Sequence, residues 1–288
     1  MSSTFLQDTK NTFARFSIVA KLIAICVSVF LVFETFRLFS WSVGNATFYE
    51  FIFRKASLPL YLAAIVYQPW SLISFMFMHD GLWHIVGNML WLFWFGEIYM
   101  LYMNERRLLE VFIGGSLAGA ALALLAYALI PPLKLVATAS YMVGASAGIE
   151  AIVFAATALN PNHEVRLFSF LRVEIKYIAL FSFLTNYASI THGNAGGVIA
   201  HIGGAIFGFL FIKSLQSGTD WFAVFKNPFE KKMKPSNVFV NPEKNTSIKK
   251  VGDKEQAQVD EILDKINRSG YDSLSKEEKA FLFQYSNK

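Results

Sequence analysis

Charge is what this chain of 288 residues has little of. Asp, Glu, Lys and Arg make up 16% of it, where a soluble domain carries about 25%. Hydrophobic residues fill the deficit at 54%, with a mean hydropathy of +0.40. The composition points away from a soluble domain and toward a membrane, since each spanning helix needs about 20 predominantly apolar residues. Cysteine is almost absent: the lone Cys26 lies inside the first apolar run, so no intramolecular disulfide forms and no redox motif exists. No basic stripe interleaves with aromatics, so the net charge of +5 does not read as a nucleic-acid surface. Basic residues instead flank apolar runs and fill the C-terminal tail, as in a membrane protein with cytoplasmic loops. The N-terminal apolar run is long and lacks a small-residue cleavage site, so it reads as a retained span and not as a cleaved signal peptide.

What is there is a series of apolar segments. The first span runs from Phe16 to Phe39, with Lys21 near one interface and Glu34 and Arg37 near the other. Residues 40–70 are too broken to cross and too hydrophobic for a solvated loop; they predict an interfacial insertion with Trp41, Tyr61 and Trp70 at headgroup depth. A second span covers about 81–103, ending at Asn104-Glu105-Arg106-Arg107, where Glu97 is expected to pair with Arg106 or Arg107. A third runs from Leu108 to Ile130 and stops at Pro131-Pro132. The fourth, from Ser146 to Asn160-Pro161, is only about 24 Å long at 1.5 Å per residue. Its N-terminus should therefore lie below one surface, with loop 131–145 dipping in beside it. The fifth covers about 175–190 and the sixth about 197–215.

Lys10, Arg15, Arg106, Arg107, Arg166, Arg172, Lys176, Lys213 and the Lys-rich tail gather on one side, against Arg54, Lys55 and Lys134 on the other. The first side is expected to be cytoplasmic, with both termini inside. The membrane domain covers 1–217, a polar linker 218–252, and a cytosolic helical hairpin 253–288. Val259, Ile262, Leu263 and Ile266 give the hairpin an apolar face. Ser275-x-x-Glu278 reads as a capping box for its second helix. The hairpin is small for independent stability and is expected to dock on the membrane domain or on an unidentified cytosolic partner.

Parity organises the polar residues. With an inside N-terminus and six crossings, spans two, four and six all enter from the outer side. Ser146 opens span four, His201 lies in the first turns of span six, and His84 and Asn88 in the first turns of span two. All four therefore fall at similar depth. A serine hydroxyl is a weak nucleophile that needs an adjacent base, and His201 is the candidate. A helix N-terminus supplies unpaired backbone N–H groups and a positive dipole end for a developing oxyanion. His84 and Asn88, four apart, share one face and add side-chain donors. Gly144 and Gly148 let the backbone turn and approach closely. Gly197, His201, Gly204 and Gly208 share one face of span six, which would pack tightly on span four. A single intramembrane serine or one Gly-x-x-x-Gly pair means helix packing and nothing more; the joint pattern carries the reading.

His84-x-x-x-Asn88, Gly144-Ala-Ser146 and Ala200-His201-x-x-Gly204-x-x-x-Gly208 together resemble the signature of the rhomboid intramembrane serine proteases, over about residues 16–215. The resemblance implies an all-α bundle of six transmembrane helices with a membrane-inserted first loop, to which Trp70, His79 and Asp80 contribute. It implies a Ser146–His201 dyad with His84 and Asn88 assisting the oxyanion, no cofactor and no metal. It also implies a transmembrane-helix substrate cut near the outer surface, and a bacterial cytoplasmic membrane as the location. Two positions depart from the family pattern. Ala147 stands where a glycine is usual, with Gly148 following, and Glu150 stands where many relatives carry an aromatic residue. A carboxyl one turn below the nucleophile needs a partner; either Glu150 reaches His201 or buried water and orients the imidazole, or it is protonated and hydrogen-bonded to backbone or water. A zinc protease would carry His-Glu-x-x-His, and an aspartyl type two membrane aspartates; the sequence has neither. The alternative reading is a non-catalytic rhomboid-like protein that binds membrane helices.

Overall fold

The computed structural model describes residues 16–167, 171–191 and 194–223, together with scattered positions between 261 and 281. The chain forms two compact units, Met1–Asn227 and Pro228–Lys288.

In the first unit, α1 (Ile18–Ser42) starts at Ser17, whose hydroxyl accepts the Ala20 N–H at 3.2 Å. Two short helices follow, α2 (Thr47–Ala56) and α3 (Leu62–Tyr67), separated by strand β1 (Leu58–Pro59). A single turn, α4 (Ser71–Ser74), and a 3-10 turn at Phe75–Phe77 lead into α5 (Leu82–Met100). Asn104 caps α6 (Glu105–Leu129) by accepting the Arg107 N–H at 3.0 Å. Pro131 and Pro132, which have no N–H to continue that helix, open the short α7 (Pro131–Val136) instead. Strand β2 (Tyr141–Met142) precedes α8 (Ser146–Leu159). Strands β3 (Glu164–Leu167) and β4 (Leu171–Glu174) then lead to α9 (Ile175–Ser189) and α10 (Ala195–Gln216).

The fold is mostly helical, but the all-α expectation misses two short antiparallel ladders. Leu58 pairs with Met142 and Pro59 with Tyr141; Glu164–Leu167 pairs with Leu171–Glu174. Neither announces itself, because two residues are too few for an alternating pattern and Arg166 and Arg172 read as loop charge. Among the described residues, α1, α6 and α10 are long and apolar enough to cross a membrane. α5, α8 and α9 are shorter, at 19, 14 and 15 residues.

α8 forms the centre. Ten of its fourteen residues are buried, and α6 and α10 pack on it and on each other more extensively than any other pair of elements. Small residues make this approach possible. A Cβ placed on Gly204 would collide with the carbonyl oxygen of Ala147, and one on Gly208 with that of Ala151. On the other side, a Cβ on Gly148 would come within 2.6 Å of the Phe112 carbonyl oxygen on α6. By contrast, α9 buries only Ile175, Ala179 and Ser182.

At the opposite end of α6 from its prolines, Arg107 joins Glu110 at 2.5 Å and Asp220 at 2.8 Å, and Arg106 joins Glu110 at 2.9 Å. Glu97 pairs with neither arginine. It accepts the Ser17 hydroxyl at 3.4 Å, because Glu110, three and four residues along the same helix face, lies closer to both guanidinium groups.

Residues 218–223 of the expected linker belong to the first unit, where Asp220 pairs with Arg107 and Trp221 and Phe222 pack on Phe211; the rest of the linker and, in the second unit, most of the hairpin lie outside the described residues. Those that are described include the capping box. Ser275 N–H donates to Glu278 Oε2 at 2.7 Å, and Glu278 N–H donates to Ser275 Oγ at 3.3 Å. Lys265 also holds Glu278, at 2.9 Å.

Replacing Gly208 by Leu should destabilise the bundle by about 1–3 kcal/mol, the usual range for overpacking, because the helix backbone opposite has no room to yield. Equilibrium unfolding in mixed detergent micelles checks this. A variant as stable as wild type would mean that the α8–α10 contact is not tight.

Candidate active site

Ser146 is the first residue of α8. The intrahelical ladder begins only with Ile149 N–H on Ala145 C=O at 3.0 Å, so the N–H groups of Ser146, Ala147 and Gly148 precede it. The turn into the helix depends on Gly144, whose φ of 129° lies in the region that favours glycine. Space demands glycine there as well: a Cβ would sit 2.9 Å from His84 Nε2 and 3.4 Å from Ser146 Oγ. The segment is pinned from the first loop. Gly144 N–H donates to the Phe75 carbonyl at 2.9 Å, and β2, two residues earlier, is held by β1. Trp70 locks that loop by donating its indole N–H to the Lys55 carbonyl at 2.8 Å.

His201 comes from α10. Its Nε2 lies 2.7 Å from Ser146 Oγ, and its Nδ1 lies 2.7 Å from Asn186 Oδ1. Hydrogen-bond contact on both nitrogens fixes the plane of the ring. Glu150 does not touch His201. Its Oε1 accepts the Ser182 hydroxyl at 2.5 Å and the Asn186 amide at 3.3 Å, so the carboxylate stands one residue behind the imidazole. The expected direct contact fails because Glu150 lies one turn into α8 on the side facing α9, where Ser182 and Asn186 reach it first. Asn186 is the residue that sequence reading missed; on α9 it sits in no motif, and its spacing of four from Ser182 is the signal that could have found it.

His84 and Asn88 lie one turn apart on α5 and share a cavity of about 460 Å³ with Gly144, Ser146 and His201. Asn88 Nδ2 is buried with no acceptor among the described residues, although buried polar groups are usually paired. Asp80 Oδ1 accepts from His84 Nδ1 at 2.6 Å, which turns the other edge of the ring toward Gly144 and Ser146. His79 packs edge-on against His84 with ring centroids 5.0 Å apart, and burial pushes its imidazole down to about 4, so it stays neutral. A second hollow of about 330 Å³ reaches Ser146 and His201 between α5 and α9, bordered by Trp83, Trp91, Ile149 and Asn186. Gly148, Gly204 and Gly208 lie outside the cavity and act through packing. Among the described residues no group of His, Cys, Asp and Glu could hold a metal.

Residues 66–217 match the family described as Rhomboid domain. The chain belongs to the rhomboid family. Two relatives agree with that placement. RHOMBOID-like protein 12, mitochondrial, of Arabidopsis thaliana is 27% identical over 144 residues, 47% of this chain and 43% of its own length. Rhomboid-related protein 1 of Caenorhabditis elegans is 31% identical over 156 residues, 50% of this chain and 39% of its own. The chain thus spans less than half the length of either relative. Residues 247–288 separately match a family of unknown function (DUF6576). A rhomboid domain built on long apolar helices makes this an integral membrane protein.

The hydrogen bond from His84 holds the Asp80 carboxyl below its ordinary value. A carboxyl with a depressed folded-state pKa stabilises the fold above its unfolded value and loses that contribution as pH falls through the folded one. Wild type should therefore be more stable than Asp80→Asn at neutral pH, and the gap should close on acidification below the carboxylate range. Thermal unfolding of both proteins across pH in detergent is the measurement; a gap that stays constant would exclude the ion pair as its source.

Proposed function

We propose that the protein is an intramembrane serine endopeptidase that hydrolyses peptide bonds in or beside transmembrane helices. The observation that carries this reading is the 2.7 Å contact between Ser146 Oγ and His201 Nε2, at a helix N-terminus facing a polar cavity. In the reaction, Ser146 Oγ attacks the scissile carbonyl while its proton passes to His201 Nε2. The developing oxyanion is held by the Ser146 backbone N–H, Asn88 Nδ2 and the His84 ring. His201 returns the proton to the leaving amine, and water then attacks the acyl-serine with the same base. Both nucleophile and base come from this chain, and the chemistry requires no cofactor.

The membrane arrangement is part of the proposal. α1, α5, α6, α8, α9 and α10 cross the bilayer, with Arg106, Arg107, Arg166, Arg172, Lys176 and Lys213 at the cytoplasmic end and both termini inside. α8 measures about 21 Å at 1.5 Å per residue against a hydrocarbon core of about 30 Å, so Ser146 lies below the outer surface. The hollow between α5 and α9 gives a substrate helix a lateral route to it, and partial unwinding exposes its carbonyl. The segment 253–288 is read as a cytosolic hairpin with a partner of its own.

Wild type should cleave a generic transmembrane substrate in liposomes, and Ser146→Ala and His201→Ala should each lose at least about 10³-fold in kcat, because paired catalytic residues act as a unit. Equal cleavage by all three proteins would remove the pair from the chemistry. Absence of cleavage throughout, with crosslinking to membrane helices retained, would instead favour a helix-binding, non-catalytic protein.

A further inference from the structure

Resting on the protease reading, we infer that Asn186 and Glu150 form a positioning relay that selects which nitrogen of His201 carries the proton, with Glu150 setting the direction of the Asn186 amide. Three helices contribute: Glu150 from α8, Ser182 and Asn186 from α9, and His201 from α10. Glu150 and Ser182 are 6% and 8% exposed, so the bond between them is shielded, and Asn186 stands half-buried at the edge of the hollow.

The relay follows from counting donors and acceptors. Glu150 Oε1 accepts from both of its neighbours, as a carboxylate oxygen or the carbonyl oxygen of a protonated carboxyl does, and a primary amide has a donor end and an acceptor end. Glu150 Oε1 already takes the Ser182 hydroxyl proton. Facing that oxygen at 3.3 Å, Asn186 must present its NH₂ end; the reverse orientation would set oxygen against oxygen. The amide oxygen is then left toward His201 Nδ1, 2.7 Å away. Only an Nδ1–H can donate to it. The remaining lone pair of the neutral ring is on Nε2, facing Ser146 Oγ, which is the tautomer a general base requires. Flipping the amide would demand a lone pair on Nδ1 and leave Nε2–H pointing at the serine, a ring unable to accept its proton. Neither Asn186 nor Glu150 touches Ser146 in this scheme; both act through His201.

The test exchanges the two functional groups. Full-length protein labelled with ¹⁵N-histidine, with His201→Gln used to assign the resonance, should show Nδ1 protonated and Nε2 unprotonated in wild type. Asn186→Leu should lose that preference, and kcat on a transmembrane substrate should fall by about 10- to 100-fold, less than most of the 10²–10⁴ a general base supplies because the base itself remains, with KM little changed. Glu150→Gln should fall less, because glutamine can offer either end of its amide and so permits both orientations of Asn186. Asn186→Asp alone places two carboxylates face to face and should be impaired. The double variant Asn186→Asp/Glu150→Gln restores an acceptor toward His201 and a donor between the two side chains, so it should recover kcat above both single variants. Unchanged tautomer and kcat in folded Asn186→Leu would overturn the relay. So would a double variant no better than the poorer single one while all melt like wild type. The tautomer is read without any substrate, so a wild type that shows the Nδ1–H form but never cleaves would refute the protease reading and leave the relay standing.

Discussion

Between transmembrane helices the surrounding lipid is as apolar as the side chains, so burial gives little drive to associate and contact depends on how closely backbones approach. That constraint governs this structure. α8 is held between α6 and α10 by small residues placed where the opposing chain offers a carbonyl oxygen instead of a side chain. Ala147 takes part twice: its carbonyl lies against Gly204, and its Cβ is 2.9 Å from where a Cβ on Gly119 would be. Ser146 immediately precedes Ala147, and His201 precedes Gly204 by less than one turn. The 2.7 Å contact between serine and histidine is therefore set by packing whose chemistry is entirely apolar. Polar groups decide what the site does, and glycines and alanines decide where it is.

The polar groups around the dyad divide into two pairs with different surroundings. Asp80 and His84 sit at the cavity mouth, where the Asp80 side chain is 62% exposed and water can share the work of satisfying it. Glu150 lies inside, with Asn186 half-buried in front of it, where a hydrogen bond is stronger and a missing one costlier than at the mouth. Exposed charge orients one ring loosely, and an amide backed by a buried carboxyl orients the other more firmly. This division matches the proposed roles, since a donor to an oxyanion tolerates some freedom whereas a base must carry its lone pair on one particular nitrogen.

Much of this was legible in the sequence because the bilayer restricts the solutions. Helix termini followed from Asn104, the Pro131-Pro132 pair and Asn160-Pro161, and the gathering of Ser146, His201, His84 and Asn88 at one cavity followed from counting crossings. What escaped was whatever joins distant segments through the backbone or through a residue without a motif. The Leu58–Met142 and Pro59–Tyr141 pairing has no side-chain signature, since a ladder uses N–H and C=O groups that every residue has. Asn186 is one polar residue among several on α9 and gains meaning only once α8 and α10 stand beside it. Glu150 was conspicuous for its charge, yet its target was misjudged, because sequence spacing gives the face of a helix and not the first side chain met across the gap.

The short ladder between β1 and β2 has a consequence for how the molecule is made. A chain is synthesised from its N-terminus, so Leu58 and Pro59 are in place long before Tyr141 and Met142 leave the ribosome. The segment Tyr141–Gly144 is thus assembled onto an edge that was made before helices α3 to α7 were added, and Gly144 joins the Phe75 carbonyl beside it. Until α10 arrives with His201, Ser146 Oγ lacks its 2.7 Å partner. A newly made copy therefore holds Ser146 in its turn before the residue that contacts it, His201, has been made.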